Sequence, residues 1–155
     1  MNSARRHIEQ LLLIFAVSVL LNYPWELAQS PLYAGMGDIR ANLGHCFLSS
    51  LGDGVLVLLI FAVGLVVLRR TDWFERPDGR AYLVMLAAGV AIAVGVEWVA
   101  VHTMNRWAYT NLMLLVPGLD VGIVPVAQML VLPPLIFRIV AVIMNWNRNS
   151  PGARR

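Results

Sequence analysis

Residues 55–68 form an uninterrupted apolar run with no polar face on any side. A helix in a soluble domain needs a polar stripe, and this segment has none, so hydrocarbon is its natural surrounding. Comparable runs recur around it, and a span takes about 20 residues. The spacing predicts four spans at about 8–28, 43–68, 81–101 and 120–144. Composition agrees: 59% of residues are hydrophobic and 14% charged, where a soluble domain carries roughly 25% charged residues. The expected fold class is therefore all-α, one integral membrane bundle of four transmembrane helices in a single domain.

The connections follow from turn chemistry. Ser30-Pro31 through Gly35-Met36-Gly37-Asp38 predicts a loop to about Asn42. Residues 69–80 are the one plainly polar stretch, expected as a solvated loop with Trp73 and Phe74 at the membrane interface. Residues 102–118 are expected as a loop or an interfacial helix. Pro125 and the pair Pro133-Pro134 are expected to interrupt the fourth span, and Pro24 to loosen the end of the first. The tail at 145–155 reads as disordered. No small-residue cleavage site follows the first apolar run, so that run is expected to remain as an anchor.

All twelve basic residues are Arg, and the net charge is +3. With four spans, ten of them (5, 6, 69, 70, 76, 80, 138, 148, 154 and 155) fall on the side of the termini and two, Arg40 and Arg106, on the other. The positive-inside rule predicts cytoplasmic N and C termini and a cytoplasmic loop at 69–80. The expected location is the cell inner membrane, multi-pass. No basic run interleaves with exposed aromatics, so no nucleic-acid partner is expected. Cys46 is the sole cysteine, which excludes an internal disulfide.

Within this frame, Glu26, Asp38, Asp53, Glu97 and Asp120 fall in the outer half together with His45, His102, Arg106 and Gln128. Asn22, Trp25, Glu26 and Gln29 lie at i, i+3, i+4 and i+7, one stripe of a helix. Asp53 lies roughly 15 Å below the start of its span at about 1.5 Å per residue, near mid-bilayer, where a carboxylate is paired, neutral or functional. Four helices sending polar groups to one depth is the strongest functional signal in the chain.

Each feature also has a plainer structural explanation. Glu26 can sit solvated at the head groups, Asp53 can be a packing residue beside Gly52 and Gly54, and His102 an interfacial hydrogen bonder. Arg106 can pair with Glu97 or Asp120, clamp a head group, or be a surface charge. The aromatic residues Tyr23, Trp25, Tyr33, Trp73, Trp98, Trp107, Tyr109 and Trp146 fit interfacial anchors, although Trp25 and Trp98 adjoin acids of the site. Aromatic faces there can stabilise a cation. Glu26, His45, Asp53, Glu97 and His102 are metal-ligand types, but no ligand spacing joins them, so no cofactor is expected.

Asn22-x-x-Trp25-Glu26 resembles a stretch of integral membrane terpene cyclases, a likeness covering about a dozen residues. It implies that Glu26 is an acid protonating an epoxide or alkene. Those cyclases have about seven spans, more than this chain has room for. The chain as a whole also resembles small uncharacterised bacterial multi-span membrane proteins, which implies no activity.

The leading expectation is a membrane enzyme of cyclase or isomerase type acting on an apolar lipid, such as an isoprenoid, by acid–base chemistry. Glu26, Asp53 and Glu97 are the expected catalytic residues, with Asn22, Trp25, Gln29, His45, Trp98, His102, Arg106, Asp120 and Gln128 binding or supporting. The alternatives are a proton-coupled or ion-binding transporter, and a non-catalytic subunit of a membrane complex. Besides the lipid bilayer, the expected partner is a second copy or another subunit docked on the Gly-rich helix faces.

Overall fold

The computed structural model describes residues 3–149 and is built from four long helices, α1 (Ser3–Gln29), α2 (Ile39–Leu68), α3 (Gly79–Trp98) and α4 (Ile123–Asn149). Segments Arg5–Leu32, Ile39–Leu68, Gly79–Thr103 and Ile123–Trp146 are each long and apolar enough to cross a membrane. The chain is a multi-pass all-α membrane protein. α1 packs against α2 and α4, and α3 packs against the same two, so the helices form a ring with α1 diagonal to α3.

The helix ends explain several acids at once. Asp38 caps α2, its carboxylate accepting from the Arg40 and Ala41 amides at 3.0 and 3.4 Å, so α2 starts four residues before the expected boundary and Arg40 is helical. Asp78 caps α3 through the Ala81 amide at 2.8 Å. Past Trp98, α3 widens into a π-helical turn, Val99–Thr103.

The prolines do not break α4. Pro125 sits in its first turn, where no intrahelical donor is required, and Pro133 and Pro134 lie inside a continuous helix. The Met129 carbonyl, which Pro133 leaves without its usual i+4 donor, faces Gly89 of α3. A Cβ on Gly89 would fall 2.4 Å from that oxygen. The missing amide hydrogen and the missing side chain together let α3 and α4 approach closely. α1 likewise continues through Pro24 as far as Gln29, then tightens into a 3₁₀ turn at Ser30–Leu32.

The connection at 69–80 is a largely exposed loop, but its two aromatics turn inward instead of lying at the membrane interface. Trp73 and Phe74 are 0% and 2% exposed and belong to the core. Trp73 stacks against Phe61, meets Phe137 edge-on at 5.2 Å between ring centroids, and donates its indole N–H to the Phe61 carbonyl at 3.3 Å. Gly64 makes the room: a Cβ there would fall 2.3 Å from the Trp73 ring. The Gln10 amide donates to the Thr71 carbonyl at 2.9 Å, and Arg6 pairs with Glu75 at 3.0 Å, fastening the segment to α1. The end of the bundle that carries the termini is thereby plugged with aromatic side chains.

The tail expectation is corrected for 145–149, which continue α4; its remainder, 150–155, lies outside the described residues. Of the glycines on the helix faces, Gly44, Gly52 and Gly95 have open space where a Cβ would stand.

Candidate functional site

The end of the ring opposite the aromatic plug is where the polar residues meet. On α1, Asn22, Glu26 and Gln29 occupy one face, and Asn22 is fully buried. On α2, His45, Ser49 and Asp53 recur every four residues and share a face. α3 contributes Glu97, and α4 contributes Gln128 from its second turn.

Gln128 is 2% exposed and joins three helices. Its amide nitrogen lies 2.7 Å from Asn22 Oδ1, 3.0 Å from Asp53 Oδ2 and 3.3 Å from Glu26 Oε1. Its amide oxygen accepts from Gln29 Nε2 at 3.1 Å. Gln29 Nε2 also donates to Glu26 Oε1. Glu26 Oε1 and Asp53 Oδ2 thus face the same Gln128 amide nitrogen across the α1–α2 interface. Two carboxylates brought to one amide repel each other unless one of them takes up a proton, so the pair is suited to carrying a proton among these amides.

Glu97 is held by a second group of residues. Tyr33 donates to its Oε1 at 3.4 Å, and Trp107 Nε1 and the Tyr109 hydroxyl donate to its Oε2. Tyr109 also accepts from the Gly122 amide at 3.0 Å. Backbone bonds from Ala34 to Ala108 and from Thr110 to Leu32, at 2.8 and 2.9 Å, join the two connections that carry these aromatics. Burial first, then the neighbouring Glu97 carboxylate, pushes the Tyr33 phenol above its ordinary range. Burial and the hydrogen bond to Glu97 do the same for Tyr109. Both phenols thus stay protonated and serve as donors.

Between the two groups lies a cavity of about 520 Å³, lined by Glu26, Gln29, Asp53, Glu97 and Gln128 on its polar side and by Leu48, Leu56, Ala93, Val96 and Met129 on its apolar side. Tyr33, Trp107, His45 and Arg106 also line it, the last two exposed. Of the expected site residues, Asn22 supports this constellation from beneath Gln128.

Others stand apart from the cavity. Trp25 precedes Glu26, is turned from it around α1 by about 100°, and packs against the core, its indole N–H buried without a partner. Trp98 turns away from Glu97 for the same reason and is 50% exposed. His102 is exposed, contacts the Trp98 ring at 5.8 Å, and meets the Asp120 carbonyl at 3.2 Å. Asp120 is an exposed turn residue with φ +52°. Arg106 is not ion-paired with Glu97 or Asp120; the ion pairs among the described residues are Arg6–Glu75 and Arg70–Asp72.

Tyr33, Trp107 and Tyr109 are site residues that the sequence reading assigned to the interface. Their position depends on two connections meeting, and loops carry no period from which that can be read. Among the described residues, no group of three or more His, Cys, Asp or Glu side chains is arranged to hold a metal ion. No protein-family model, curated protein or solved structure matches the chain.

Proposed function

We propose that the protein is a membrane-embedded enzyme of the isomerase or cyclase type, acting on an unsaturated apolar lipid such as an isoprenoid. The observation that carries this reading is the Glu26–Asp53 pair, two carboxyls meeting on the Gln128 amide beside an apolar wall. A carboxyl in such a place can protonate an alkene carbon of a bound chain. The C=C electron pair takes the proton and leaves a carbocation. Loss of a proton from a neighbouring carbon to the resulting carboxylate returns the acid and moves the double bond, so atoms and charge balance. Glu97, fixed by three neutral donors, supplies a countercharge for the cation. The faces of Tyr33 and Trp107 offer cation–π stabilisation.

Deep polar residues would equally suit transport. The aromatic plug of Trp73, Phe74, Phe61 and Phe137 at the opposite end favours chemistry over passage, since a transport path needs polar lining on both sides. In this reading the termini and the plugged end are cytoplasmic and the acid cavity lies in the outer half of the inner membrane.

The test uses the full chain in nanodiscs containing total membrane lipid, incubated in D2O. Wild type is expected to place deuterium on carbon in one lipid class, seen as a mass increase, and Glu26→Gln and Asp53→Asn to place none. Equal labelling by both variants would contradict the proposal.

A further inference from the structure

A second hollow, sharing Val96, Arg106 and Trp107 with the acid cavity, runs along the outer end of α3. It is an open groove of about 350 Å³, lined besides by Gly95, Val99, Ala100 and Met104. The backbone shapes it. Gly95 presents no side chain, and a Cβ there would meet nothing within 4 Å. The π turn displaces the following residues outward, with the Met104 amide bonded to the Val99 carbonyl at 2.9 Å. Asn105, at φ +48°, then reverses the chain, and the Arg106 amide returns to the Ala100 carbonyl at 2.9 Å. The result is an apolar channel with a guanidinium at one end.

That guanidinium has no acidic partner. Arg106 is exposed and takes part in neither ion pair among the described residues. Glu97, the nearest acid in sequence, is occupied by Tyr33, Tyr109 and Trp107. An unpaired cation at the outer boundary of a span, beside a groove lined by apolar side chains, fits a lipid chain with an anionic head. Arg matches phosphate through two parallel N–H donors.

We propose that this hollow binds an anionic phospholipid of the bilayer, one chain lying over Gly95 and the phosphate on Arg106. The site does not depend on the proposed chemistry, because occupancy is measured here and turnover is not.

The experiment is native mass spectrometry of the full chain released from nanodiscs of equal phosphatidylglycerol and phosphatidylcholine. Wild type is expected to retain phosphatidylglycerol preferentially. Arg106→Gln should lower the ratio about fivefold, the weight of one basic residue at an anionic surface, and Arg106→Lys should largely keep it. Gly95→Leu fills the channel and should remove the retained lipid of either head group. The inference is overturned by a wild-type ratio of one or by an unchanged ratio in Arg106→Gln. It is also overturned if a short-chain, water-soluble glycerophosphate displaces the bound lipid as well as a full-length one does. Should Gly95→Leu not assemble, the Gln and Lys variants at 106 decide the matter alone.

Discussion

Gln128 has two amide hydrogens and three acceptors in reach, on Asn22, Asp53 and Glu26. Losing it leaves the fully buried Asn22 oxygen and the part-buried Asp53 carboxyl without this donor, at about 1–3 kcal/mol for each buried group left unpaired. Gln128→Leu is therefore expected to lower thermal stability in detergent by several degrees. Gln128→Glu should do worse, because it sets a third carboxyl against the two that now face its amide. A melting point equal to wild type in either variant would show that the hub carries no stability. The phenols give a pH prediction. Tyr33 and Tyr109 hold their protons more tightly folded than unfolded. Their contribution to stability is complete below the unfolded tyrosine pKa of about 10 and is lost as pH rises beyond it. Tyr109→Phe should flatten the alkaline limb of a stability–pH profile and leave its shape between pH 6 and 9 unchanged. The stripe Asn22, Glu26, Gln29 was legible in the sequence because helical spacing alone puts those residues on one face. The aromatic clamp on Glu97 was not, since Tyr33 and Tyr109 lie 76 positions apart on irregular chain.

Among the elements, the α3–α4 contact depends on one absent hydrogen and one absent side chain. Gly89→Ala would drive a methyl group into the Met129 carbonyl. The expected cost is about 1–3 kcal/mol of overpacking, read as a lower unfolding midpoint in mixed micelles. Gly44→Ala, where a Cβ meets nothing, serves as the control and should cost nothing. At the other end, Trp73→Ala removes a fully buried ring and should cost on the order of 3–5 kcal/mol. These elements show where reading by composition stops. The charges of 69–80 mark a loop correctly, but nothing local says that its two aromatics turn inward to meet Gly64 and Phe137. Pro133 and Pro134 look like a break until a neighbouring helix is seen to cover the freed carbonyl.

For the whole molecule, apolar run length was enough to find the four helices, because hydrocarbon leaves the backbone almost no other choice. The depth argument also pointed to a shared polar level, and Glu26, Asp53, Glu97 and Gln128 do line one cavity. Depth could not say which neighbouring residues face outward, and so it grouped Trp98, His102 and Asp120 with them. Orientation rests on the Arg bias. A C-terminal green fluorescent protein fusion is expected to fluoresce and an alkaline phosphatase fusion at the same point to be inactive, and the reverse result would invert the molecule. The central claim is that the Glu26–Asp53 pair does chemistry on a lipid. Its most direct test is the lipid profile of a deletion strain complemented at equal expression with wild type, Glu26→Gln or Asp53→Asn. The expected result is a lipid that accumulates in the deletion, disappears with wild type and persists with both variants. Restoration by either variant, or no change in any lipid on deletion, would contradict it.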